Sequence, residues 1–79
     1  LRGGAKQNTM RVTKQHQNWP AAVTFERAML QTLSNDLIRV LSKDNELLLH
    51  VNKREFKKLR TGVVERTIGQ ETVFWSMEE

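Results

Sequence analysis

Cysteine is absent from this chain of 79 residues, which excludes disulfide staples, thiolate metal ligands and thiol nucleophiles and fits a reducing compartment. Proline occurs once and glycine four times, at Gly3, Gly4, Gly62 and Gly69. Glycines so placed build no phosphate-cradling loop. Histidine occurs twice, as His16 and His50, with no other His or Cys near either, a spacing that makes no metal site. No nucleophile stands beside a base, and no pair of carboxylates is set apart for acid–base work. The expectation is therefore no catalytic residue, no metal, no cofactor and no enzyme activity. No apolar run approaches the roughly 20 residues of a membrane span, and no apolar core of a signal peptide follows the basic start. A soluble, intracellular protein, cytoplasmic or nuclear and without a membrane partner, is expected. Two Trp, three Phe and an apolar fraction of 38% limit the core to that of one small domain.

What the chain does have is positive charge, unevenly spread. The formal net charge is +4. Residues 1–20 hold Arg2, Lys6, Arg11 and Lys14 and no acid, whereas residues 21–51 are slightly acidic. Lys53-Arg54-Glu55-Phe56-Lys57-Lys58-Leu59-Arg60 then sets five cations against one carboxylate, and residues 63–79 are acidic again through Glu65, Glu71, Glu78 and Glu79. Alternating blocks of this kind predict a polarised surface suited to nucleic acid or to an acidic protein.

Leu1-Arg2-Gly3-Gly4 resembles the C-terminal tail of ubiquitin, which implies a fusion remnant; the alternative is a flexible basic leader. The resemblance covers four residues and implies nothing about the rest. Up to Trp19 the composition is too polar to order itself, so residues 1–19 read as a flexible basic arm. The alternation over Thr9–Lys14 would also suit a short edge strand. Residues 20–79 read as a single small α+β domain.

Within that domain, Trp19-Pro20 marks a helix start, with Trp19 expected to staple back near Val23. Phe25, Met29, Leu30, Leu33, Leu37, Val40 and Leu41 recur at spacings of three and four, the pattern of one long amphipathic helix, kinked if anywhere at Ser34-Asn35-Asp36. Lys43-Asp44-Asn45 is a turn and Leu47–Val51 a buried strand. Asn52 with Glu55 makes a capping box for a short basic helix, Gly62 its left-handed stop, and Phe56 and Leu59 its core side. The segments 63–67 and 72–77 form a hairpin about Gly69-Gln70 in a type II′ turn, with Thr67 opposite Thr72 and Val64 opposite Trp75. The expected architecture is thus a long helix packed on a small, mostly antiparallel sheet, with a short basic helix and a C-terminal hairpin.

Two functions compete. In the first, a small binding or regulatory module contacts DNA or RNA phosphates through Lys53, Arg54, Lys57, Lys58 and Arg60, with Arg11 and Lys14 of the arm extending the footprint. Arg54 or Arg60 would do any base reading, and Trp19 beside His16 would be the candidate to stack on a base. In the second, an inhibitor or adaptor meets an acidic protein through the same cations, with Phe74 as the partner anchor and Trp75 and Met77 in the core. A homodimer is a further assembly that so small a core would favour.

Overall fold

The structure, a computed structural model, describes residues 10–78. The ubiquitin-like tetrapeptide and the start of the expected arm lie outside the described residues. Six strands and one helix follow one another as β1 (Met10–His16), β2 (Val23–Thr32), β3 (Ile38–Leu41), β4 (Leu47–Val51), α1 (Lys53–Thr61), β5 (Val64–Ile68) and β6 (Glu71–Glu78). Every strand pairing is antiparallel, and the sheet order is β4-β3-β2-β1-β6-β5. The sheet curls into a half-barrel, and α1 joins its two edge strands across the open side.

The expected long helix is absent among the described residues, and its span is the β2–β3 hairpin instead. Two interruptions break the strand period in this span. Val12 pairs with Phe25 but Met10 with Ala28, so β2 carries one residue more than β1 between these pairs, a bulge at Glu26-Arg27 with Arg27 at φ 59°. A bulge shifts the inward phase of a strand by one residue, which turns a spacing of two into three. Ser34-Asn35-Asp36, expected as a kink, sits in the hairpin loop, closed by the Leu33 N–H donating to the Leu37 carbonyl at 2.9 Å. The apolar residues of this span therefore do not share one face: Leu30, Leu33 and Leu37 are exposed, while Ala28, Ile38 and Val40 enter the core.

The second correction concerns residues 10–16, expected within the arm. They form β1, paired with β2 on one side and with β6 on the other. Met10 and Val12 are buried. Two apolar residues do not order a segment alone, but a strand hydrogen-bonded along both edges needs no more, because its order is tertiary.

The C-terminal hairpin has the expected register, with Thr67 opposite Thr72 and Val64 opposite Trp75. Gly69 has φ +62° while Gln70 is not among the residues at positive φ, which suits a type II′ turn and excludes type I′. A Cβ at Gly69 would meet nothing within 4 Å. Gly69→Ala is therefore expected to destabilise by about 1 kcal/mol from backbone strain alone, with Gly69→Asn milder, as urea unfolding midpoints would show.

The core lies on the concave face. Leu59, Val12, Val40 and Val51 are its largest fully buried side chains, with Met10, Ala28, Ile38, Val64, Trp75 and Met77 around them. Leu59 is the one residue of α1 that is buried, and Phe56 packs partly against the same cluster. The helix thereby covers one end of the concavity.

Candidate nucleic-acid interface

The helix is set by local chemistry at both ends. At its start, Asn52 Oδ1 accepts the Glu55 N–H at 2.7 Å while Glu55 Oε1 accepts the Asn52 N–H at 3.1 Å. The expected capping box is thus formed in both directions. The Lys53 N–H donates to Asp36 Oδ1 at 3.2 Å, tying the first turn to the β2–β3 loop. At its end the Gly62 N–H donates to the Lys58 carbonyl at 2.7 Å, but Gly62 has φ −164°. The expected left-handed stop is thus an extended residue, and the chain leaves α1 directly into β5.

With Leu59 turned to the core, the positions of the cations follow from about 100° per residue. Lys53, Arg54, Lys57, Lys58 and Arg60 fall on one continuous arc of about 160° opposite it. All five are exposed. Arg60 stands over the Phe56 ring, its guanidinium carbon 5.7 Å from the centroid. Among the described residues, no carboxylate forms an ion pair with Lys53, Arg54, Lys57 or Lys58.

The one acid of the helix is turned away from that arc. Glu55 takes Arg66 of β5 in a two-pronged pair, with Nη1 to Oε2 at 2.8 Å and Nη2 to Oε1 at 3.0 Å. Arg66 Nη2 also donates to the His50 carbonyl of β4 at 2.8 Å. One guanidinium therefore joins both sheet edges to α1. The hydrogen bond from Arg66 lowers the Glu55 pKa from its ordinary value; the Asn52 N–H and the charges of Arg66 and Lys58 act the same way, against burial, which raises it. Nothing local in the sequence pairs Arg66 with a residue eleven positions earlier.

The remaining expected contacts do not join α1. Arg11 projects from β1 on the side opposite Val12, and so on the other face of the sheet. Its Nε lies 3.1 Å from Glu26 Oε2 and its Nη1 2.9 Å from Glu78 Oε1. Two carboxylates of the protein already neutralise it. Lys14 shares the face of Val12 and is half-buried, its Nζ 5.5 Å from the Trp75 ring centroid. Phe74 is half-buried on the convex face, on a strand paired along both edges, so it offers neither a fully exposed anchor nor a free edge. Trp75 and Met77 are in the core, as expected.

Beyond Val12 and Met77 the concave face is not covered by the helix. There a cleft of about 460 Å³ opens, its walls including Lys14, His16, Arg66, Val73 and Trp75. Among the described residues, no three His, Asp or Glu side chains cluster to hold a metal ion, and no helix is long and apolar enough to cross a membrane. Comparison with family models, with curated proteins and with solved structures gave no match.

Proposed function

We propose that the protein is a small binding module, not an enzyme, that engages nucleic-acid phosphates through the outer face of α1, with Lys53, Arg54, Lys57, Lys58 and Arg60 as the contacting residues. The observation that carries this reading is the continuous cationic arc on a docked helix, with its single acid withdrawn into the pair with Arg66. Like charges packed on about two turns repel one another, and a polyanion relieves that repulsion and releases its own counterions on binding. Arg11 takes no part, because Glu26 and Glu78 hold it. The alternative of an acidic protein partner has less support, since its expected anchor Phe74 is half-buried.

The test is a titration of labelled DNA and RNA at two or more ionic strengths. At about 50 mM salt, Lys57→Glu with Lys58→Glu is expected to weaken binding at least fivefold or so, and to make the salt dependence shallower by about two in the log–log slope. Both side chains are exposed, so helix content by circular dichroism should not change. Unaltered affinity in the double variant, or no binding by the parent protein, removes the reading.

A further inference from the structure

The corner after β1 mounts an indole in water. The rings of His16 and Trp19 stack with centroids 4.0 Å apart and planes inclined by 18°. The Trp19 N–H donates to the His16 carbonyl at 3.1 Å, and Gln15 Nε2 donates to the carbonyls of both Trp19, at 2.9 Å, and His16, at 3.1 Å. His16 is itself fixed, because its side chain is 13% exposed and Nδ1 lies 3.7 Å from Glu71 Oε1. Trp19 on top of it is 51% exposed. The expected staple onto a first helical turn is not made, since no helix follows and Val23 is itself exposed.

An exposed apolar residue is ordinary by itself. What gives this one meaning is its mounting and its place. Val12, Lys14 and His16 alternate along β1 and so share the concave face. From Val12, which belongs to the core cluster that Leu59 of α1 enters, to His16 is four residues, about 13 Å. Between them stands Lys14, half-buried in the cleft wall with no ion pair among the described residues. Along this face of β1 the order is therefore indole, imidazole and ammonium, and beyond its far end lie outward cations of α1, Lys57 and Arg60 standing beside Met77, the strand partner of Val12.

An aromatic platform continued by cations is what holds a single strand, whose unpaired bases expose their faces while its phosphates follow the charges. A duplex keeps its base faces stacked inside and gives Trp19 nothing to stack on. Resting on the phosphate-binding role proposed above for α1, we infer that the ligand is single-stranded nucleic acid, one base stacking on Trp19 and the backbone passing Lys14 toward Lys57 and Lys58.

The experiment titrates the full chain with an oligothymidylate and an oligouridylate of about twelve nucleotides, and with a DNA duplex of equal length, at about 50 mM salt. The parent protein is expected to bind at least one of the single strands more tightly than the duplex. Trp19→Ala should weaken single-strand binding roughly 5- to 100-fold and leave duplex binding within about twofold, while Trp19→Phe restores most of the loss. Single-strand binding should also quench indole emission in the parent, and in Trp19→Phe, where the buried Trp75 alone remains, the quenching should vanish. Tighter duplex binding by the parent, or unchanged single-strand binding in Trp19→Ala, overturns the single-strand inference and leaves the cationic helix standing. Indifference to Lys57→Glu with Lys58→Glu, or no binding to any of the three probes, overturns the helix reading and this inference with it.

Discussion

Leu59→Ala is expected to destabilise the protein by about 3 kcal/mol, in the range of buried leucines truncated where the surroundings cannot collapse. Leu59 is fully buried and is the only buried residue of α1. Its neighbours belong to strands held by ladder hydrogen bonds, so they will not close on the space it leaves. A chain of this length is stable by roughly 4–12 kcal/mol in all, which makes the loss a large fraction of the whole. The melting temperature should fall by about 12–24 °C. Lys58→Ala, one residue away and exposed, should stay within about 0.5 kcal/mol. Urea unfolding of the three proteins decides it. A loss under about 1 kcal/mol for Leu59→Ala would mean that α1 is not docked through this side chain, and the cationic arc would then have no fixed direction.

The parts of the fold legible in the sequence are those governed by contacts of short range. The Asn52–Glu55 box is two hydrogen bonds within four residues, and both form. Gly69 fixes the register of a hairpin whose strands it directly joins, and that register is observed. Residues 23–41 fail for the opposite reason. Their inward phase is reset by the bulge opposite β1 and by the loop at 33–37, and a bulge has no local signal when its first residue is not glycine. The β-branched residues Val23, Thr24, Thr32, Ile38 and Val40 are the local sign of strand in this span, and a count of apolar spacings takes no account of them. Likewise β1 owes its order to two partner strands, one of them more than fifty residues later.

The candidate site divides along the same line. The five cations of α1 were legible because a helix period places them, given Phe56 and Leu59 as its inner side. Arg11 and Lys14 were grouped with them on charge alone, and only strand parity sends one to each face of β1. The stack of Trp19 on His16 was missed as a fixed feature because the staple presupposed a helix at Ala21. Once residues 10–16 are read as a strand, the alternation of Met10, Val12, Lys14 and His16 places the imidazole on the concave face with Val12.

Removing the Arg66 guanidinium is expected to cost about 2 kcal/mol at neutral pH and progressively less in acid. A fully buried pair broken on one side costs about 3–5 kcal/mol; here each partner keeps 31% of its side chain in water, so the smaller figure applies. The loss reaches further than one ion pair, since the same group bonds the His50 carbonyl and so bridges β4, β5 and α1. The sign of the pH dependence follows from Glu55, whose folded-state pKa is lowered, first by its hydrogen bond from Arg66. A lowered carboxylate contributes stability that is complete above its unfolded-state pKa and is lost as pH falls through the folded-state value. Urea midpoints of the parent protein should therefore decline across the window from the ordinary carboxylate value downward, while those of Arg66→Ala decline less there. The two curves should converge in acid. Glu55→Gln removes the titration but keeps an acceptor for the Asn52 N–H, so it should flatten the same window and lose little further when Arg66→Ala is added. If instead the gap between the parent and Arg66→Ala stays constant down to about pH 3, the guanidinium acts through packing or through the His50 carbonyl alone, and Glu55 does not anchor α1 to the two edges.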